Sequence, residues 1–143
     1  MIALDLPTFR QSSQSGNVTG IIYVELESGA FPARGWSDFP VIILGWWAEA
    51  LLQLEVPTRR EVRWRFMDGP HSLTLTKVER AISSGAWAFE RVQSSLCEAA
   101  ERVISYCELH KMSAKDLETL RTNVRQLKSA NRPFHILIQA SGY

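Results

Sequence analysis

The sequence FPVIILGWWAEALLQL, residues 39–54, contains only two polar side chains, Glu49 and a glutamine one turn later on the same helical stripe. A helix that is apolar on nearly all sides is buried on most of them. Asp38 precedes the segment as a candidate helix cap, and Pro40 falls in the first turn, where a missing N–H costs nothing. The segment predicts a buried helix over residues 39–54. The β-branched residues at its start favour an alternative, in which a strand over residues 41–44 precedes a shorter helix.

After this helix, polar and apolar residues alternate on both sides of a turn signal. Trp64 and its apolar neighbours alternate with charged residues over residues 61–67, and leucines alternate with threonines over residues 72–78. Asp-Gly-Pro at residues 68–70 lies between the two runs. This pattern predicts a β-hairpin with Trp64 on its buried face.

The N-terminal third shows the alternation that is typical of half-buried strands. Residues 2–6 and 22–26 each alternate apolar and less apolar side chains, which predicts two strands. The polar segment 11–17 and the proline-flanked segment 31–38 are predicted to be loops.

Two C-terminal segments follow helical periodicity. Residues 89–110 repeat apolar side chains at a three–four spacing, with the charges off that stripe. Ser113 and Asp116 form a capping-box-like pair ahead of a last helix. Four apolar residues share one face of that helix: Leu117, Leu120, Val124 and Leu127. Residues 81–87 are predicted to be a connection, and residues 134–138 a last strand.

The order of these elements is strands, a buried helix, a hairpin and then two helices. Early strands and late helices predict an α+β fold rather than a βαβ repeat. We expect an antiparallel sheet of about four strands, with the buried helix and the two C-terminal amphipathic helices packed on it. At 143 residues, with no repeat or linker, the chain suits a single domain over residues 1–143.

Charge and apolar run lengths exclude several classes of partner. The net charge of +1 gives no overall attraction to nucleic acid or to anionic membranes. Residues 58–80 are locally basic, but their arginines fit a solvated strand face better than a nucleic-acid groove. The longest apolar run, residues 39–48, is far shorter than the roughly 20 residues of a membrane span. We therefore expect neither a nucleic-acid nor a membrane partner.

The N-terminus and the cysteines point to a reducing compartment. Residues 1–10 lack a basic segment ahead of an apolar core, so we expect no secretory signal peptide. Cys97 and Cys107 lie ten residues apart on one predicted helix, which separates them by about 15 Å. We expect two free thiols and a cytoplasmic location.

The sequence carries none of the signatures of serine hydrolases, P-loop proteins, zinc proteases or dinucleotide-binding folds. Cys107 and His110 share a helix face but lack a third metal ligand or a positioned base. Glu49 would be a candidate acid or base if it were buried, although one wet helical stripe explains it more simply. We expect no catalytic residue, no metal and no cofactor.

The tryptophans stand out from this ordinary composition. Trp46 and Trp47 point about 100° apart on a helix, so one can pack on the sheet while the other meets a neighbouring element or a partner. Trp36 lies in a loop beside Asp38, where it can pin the loop to the core or anchor an interface.

The run FPARGWSDFPVIILGWWAEALLQL, residues 31–54, with RWRFMDGP, residues 63–70, resembles small bacterial immunity proteins of polymorphic-toxin or contact-dependent systems. The shared features are a Phe-Pro turn, a Trp-x-Asp cap, an apolar helix with tryptophan, and a strand that ends in Asp-Gly-Pro. The resemblance extends loosely through the following strand, whereas the C-terminal helices do not contribute to it.

The resemblance implies a non-catalytic protein that binds one cognate protein toxin in the cytosol and blocks it. The contact residues we expect lie on loops and turns: Trp36, Asp38, Asp68 and His71. Each has a structural alternative, namely loop pinning, helix capping or turn formation. Two other functions remain open: a small enzyme that uses Glu49 or the Cys107/His110 pair, and a structural subunit that homo-oligomerises through exposed tryptophans. The oligomeric state is left open.

Overall fold

The chain forms two antiparallel four-stranded sheets and three α-helices in the computed structural model, which describes residues 1–79 and 85–141. The first sheet contains β1 (Ile2–Gln11), β2 (Val18–Leu26), β3 (Gly29–Phe31) and β4 (Ser37–Asp38). The second contains β5 (Glu61–Arg65), β6 (Ser72–Val78), β7 (Ala86–Ala88) and β8 (His135–Ser141). The helices are α1 (Pro40–Gln53), α2 (Phe89–Leu109) and α3 (Leu117–Lys128).

This architecture confirms the predicted α+β class with antiparallel strands. The strands are divided between two sheets, whereas the sequence predicted about four strands in one. Side-chain alternation shows which face of a strand is buried, but it carries no information about which strand lies beside it. The alternation of side chains therefore could not predict that the strands form two sheets.

In the first sheet, β2 is the central strand. It pairs with β1 along one edge and with β3 and β4 at different points of the other edge. Both predicted N-terminal strands are present and longer than expected, and a register shift interrupts β1 between Asp5 and Arg10. The predicted loop over residues 31–38 contains the very short β4, which places Asp38 opposite Gly20 of β2.

In the second sheet, the strand order is β5-β6-β8-β7. The predicted hairpin is confirmed as β5 and β6, with Trp64 opposite Leu73 and Val62 opposite Leu75. The last strand, β8, inserts between β6 and β7 and leaves β5 at the end of the sheet. Of the predicted connection, residues 81–84 lie outside the described residues, and β7 begins at Ala86.

The first helix, α1, connects the two sheets. It is one continuous helix, as predicted, and it packs against β5, β2, α2 and α3. The alternative strand over residues 41–44 is not formed. Leu44, Trp47 and Leu51 of α1 are completely buried in the main core, together with residues of both sheets.

The C-terminal helices confirm their predicted apolar faces. Val92, Leu96 and Val103 of α2 are buried, as are the four predicted residues of α3. The predicted capping box is wrong. The N-cap residue of α3 is Asp116, which makes no side-chain cap bond, and Ser113 lies three residues before it. A serine caps a helix only when it occupies the N-cap itself, because its oxygen must reach the next backbone N–H groups.

Candidate functional site

The four residues predicted to contact a partner lie together around the buried carboxylate of Asp38. The Trp36 indole Nε1 donates to Asp38 Oδ2 at 2.9 Å, and the Asp68 backbone N–H donates to the same oxygen at 3.1 Å. The His71 ring meets the Trp36 ring edge to face, with the ring centroids 5.0 Å apart. The structure therefore joins the loop before α1 to the turn of the β5–β6 hairpin.

Asp38 does not cap α1 in the way the sequence suggested. The N-cap residue is Phe39, and no side chain bonds to the first turn of the helix. Asp38 Oδ1 instead accepts hydrogen bonds from the backbone N–H groups of Phe39, at 2.8 Å, and Met67, at 3.1 Å. A buried carboxylate needs such partners, and here the hairpin turn supplies two of them. Asp38 is thus a clamp between two loops.

The aromatic side chains beside Asp38 fill the space between the same two loops. Trp36 and His71 are half-buried, and Phe31 meets the His71 ring at a centroid distance of 5.9 Å. These contacts favour loop pinning for Trp36 and His71. Asp68 alone of the four predicted residues has an exposed side chain, and it adjoins exposed Met67.

The residues considered for catalysis lie in different surroundings. The side chain of Glu49 is exposed on α1, in agreement with the single wet stripe. Cys107 is completely buried, and burial, followed by the nearby charge of Glu108, raises the pKa of its thiol. A nucleophilic cysteine requires the opposite shift. His110 is exposed at the C-terminal end of α2 and packs on the Tyr106 ring.

Among residues 1–79 and 85–141, no group of three or more His, Cys, Asp or Glu side chains is placed to hold a metal ion. Cys97 and Cys107 are both free and buried, as the spacing predicted.

A groove between α1 and β5 is the second feature that can serve as a site. It has a volume of about 380 Å³ and an opening to solvent. Seven polar or aromatic side chains line it: Trp46, Glu49, Gln53, Arg59, Glu61, Arg63 and Arg65. We call this surface the α1–β5 groove. It adjoins the Asp38 clamp along the chain, because Met67 lies only two residues beyond the end of β5.

Two buried tryptophans make the walls of the groove rigid. The Trp47 and Trp64 rings stack with centroids 4.9 Å apart and an angle of 8° between their planes. The Trp47 indole donates to the Arg65 carbonyl at 2.8 Å, and the Trp64 indole donates to the Trp47 carbonyl at 3.2 Å. Because Trp47 faces inward, its neighbour Trp46 faces outward, and 42% of Trp46 is exposed.

The arginines of the groove are free to bind a ligand. Arg59, Arg63 and Arg65 are exposed, and in the described part of the chain none of them forms an ion pair. Each of the five ion pairs in that part involves other residues. The groove therefore offers one large aromatic side chain beside three guanidinium groups and two carboxylates, those of Glu49 and Glu61.

The sequence analysis identifies the Trp46–Trp47 pair and the basic strip of the hairpin separately, but it does not place them side by side. They come together because α1 lies along β5. The helical period of α1 and the alternation of β5 do not reveal this packing. The one available signal was the adjacency of the two tryptophans on an otherwise buried helix.

No protein-family model, curated protein or solved structure matches this chain. No helix among the described residues combines the length and the apolar character that crossing a membrane requires.

Proposed function

We propose that this chain is an immunity-type protein of a bacterial polymorphic-toxin or contact-dependent system. It binds a cognate protein toxin in the cytosol and blocks it by occupying its surface, without chemistry of its own. The resemblance of residues 31–70 to such proteins supports the proposal. The structural observation that carries it is the exposed Trp46 beside three exposed arginines in the α1–β5 groove.

Tryptophan and arginine are enriched among the residues that dominate the energy of protein interfaces. They are most effective when they lie on a rigid surface, because little conformational entropy is then lost on binding. Trp46 lies on a helix that the Trp47–Trp64 stack holds against β5. The α1–β5 groove therefore has both the composition and the rigidity of an interface centre.

The surroundings of Glu49 and Cys107, the residues considered for catalysis, support binding rather than catalysis. Glu49 is solvated, and Cys107 is buried with a raised pKa. A stoichiometric inhibitor needs neither an acid nor a nucleophile. It needs an interface of about 1,200–2,000 Å² with complementary charge, and the groove can form its centre.

The proposal is tested by co-expressing the chain with the product of the adjacent gene. We expect rescue of growth and a complex that survives co-purification. Trp46→Ala should weaken the complex by about 30-fold or more, because truncating an interface tryptophan costs at least about 2 kcal/mol. Leu109→Ala is the matched control, since Leu109 is an exposed apolar residue on α2.

Two results would contradict the proposal. One is a neighbouring product that neither binds nor harms cells. The other is a complex that Trp46→Ala and Leu109→Ala weaken equally, which would place the interface elsewhere.

A further inference from the structure

The strand β5 is an edge of the second sheet. Within residues 1–79 and 85–141 it pairs with β6 alone, and its other side faces the α1–β5 groove. Edge strands present a row of backbone donors and acceptors that can accept another strand. Proteins usually protect such edges, so an edge that opens into a groove is a potential binding feature.

The hydrogen-bond pattern of the hairpin shows which backbone groups face outward. Lys77 N–H donates to the Arg60 carbonyl at 2.8 Å, and Phe66 N–H donates to the His71 carbonyl at 3.1 Å. In an antiparallel pair the residues that bond to the partner strand alternate with those that do not. Even-numbered residues of β5 therefore bond to β6, and the backbone groups of Glu61, Arg63 and Arg65 point away from it.

One contact verifies this assignment independently. The Arg65 carbonyl accepts the Trp47 indole hydrogen bond from α1, so it faces away from β6. Because this bond occupies the Arg65 carbonyl, that carbonyl cannot accept a hydrogen bond from an added strand. The outward N–H and C=O groups of Glu61 and Arg63 remain for an added strand.

The side chains along the edge alternate between two environments. Val62 and Trp64 are buried, and Val62 lines the groove together with Ala50 of α1. Arg63 and Arg65 lie together with Glu61 on the opposite, exposed face of β5. A strand laid along this edge would meet apolar surface on one face and, on the other, two guanidinium groups beside the Glu61 carboxylate.

We infer that β5 accepts an extended segment of the partner protein as an added strand, in which acidic side chains alternate with apolar ones. This inference rests on the proposed function and specifies how the groove recognises its partner. Residues two apart on a strand are separated by about 6.6 Å, so carboxylates at alternate positions match the spacing of Arg63 and Arg65. Backbone bonds would supply register, and the arginines would select acidic segments.

A second copy of this chain is the competing occupant of the edge. An antiparallel pair of β5 strands centred on Arg63 places that arginine opposite itself and each Glu61 opposite Arg65. A pair centred on Val62 places Arg59 opposite Arg65 and each Glu61 opposite Arg63. Each register thus combines repulsive and attractive pairs, and self-pairing is therefore one outcome of the test.

The test is a titration of the full chain, labelled with ¹⁵N, with a capped synthetic peptide in which glutamate alternates with valine. We expect slowed hydrogen exchange at the amides of Glu61 and Arg63, the outward donors of the edge. The double variant R63E/R65E should weaken peptide binding by about tenfold or more, because it replaces the two guanidinium groups that pair with the peptide's glutamates by carboxylates that repel them. The double variant K111E/K115E, at two exposed positions remote in sequence, is the charge-matched control.

The same peptide with lysine in place of every glutamate should not bind. The inference is overturned if the acidic peptide does not bind, or if it binds while both amides exchange as before. It is also overturned if the amides are protected without peptide in a concentration-dependent dimer, which would make a second copy the occupant.

These outcomes are separable from those of the proposed function. A complex with the adjacent gene product that leaves the Glu61 and Arg63 amides exchanging freely refutes strand addition and preserves the proposed function. Protection by the acidic peptide without any complex with that product refutes the proposed function and preserves strand addition.

Discussion

The buried carboxylate of Asp38 accepts four hydrogen bonds from Trp36, Phe39, Met67 and Asp68. Each carboxylate oxygen faces two donors. An asparagine in the same place would have to direct its NH₂ group at two N–H groups, whichever way its amide turned. The clamp therefore requires a carboxylate rather than any polar side chain of similar shape.

Asp38→Asn should lower the free energy of unfolding by about 2–4 kcal/mol, because it leaves buried donors unpaired. Urea unfolding followed by circular dichroism measures this loss. Asp68→Asn is the matched control: its side chain is exposed, so its effect should stay within about 0.5 kcal/mol. Equal effects of the two variants would show that Asp38 is not the clamp described above.

Most of the secondary structure could be predicted because helices and strands leave different periodicities. The single helix α1, the hairpin, and helices α2 and α3 are long enough to show their period. β3, β4 and β7 span three residues or fewer and are too short to show one. The placement of β8 between β6 and β7 is a long-range choice, so the sequence could not show that β5 is an edge.

Two glycines test how tightly the elements pack. A Cβ at Gly20 of β2 would lie 2.2 Å from Cδ1 of the fully buried Phe9 ring. A Cβ at Gly45 of α1 would meet nothing within 4 Å. Gly20→Ala should cost about 1–3 kcal/mol through overpacking, whereas Gly45→Ala should stabilise the protein by about 0.5–1 kcal/mol, since alanine is the better helix former.

Both glycine variants can be measured by the same urea unfolding experiment. The two effects should differ in sign, because a Cβ at Gly20 meets the Phe9 ring whereas a Cβ at Gly45 has open space and lies in a helix. A Gly20→Ala protein of unchanged stability would show that the Phe9 ring does not cover Gly20 as described, and a destabilised Gly45→Ala protein would show that α1 is more crowded than its geometry indicates.

The candidate site was partly predictable. Trp36, Asp38, Asp68 and His71 do lie together, but hydrogen bonds and ring contacts occupy three of them within the fold. The α1–β5 groove arises only when α1 packs along β5, and this contact turns Trp46 outward. The sequence identified the residue types of an interface, while the three-dimensional packing determines which of them remain exposed.

The central claim is that this protein acts by stoichiometric binding. It is tested most directly by measuring the activity of the adjacent gene product while this chain is added in increasing amounts. The account predicts that activity falls linearly to zero at one equivalent, and that Trp46→Ala shifts the curve to much higher concentrations while Leu109→Ala does not. Progressive loss of activity with time, at far less than one equivalent, would mean that the chain inactivates its target catalytically and would contradict the account.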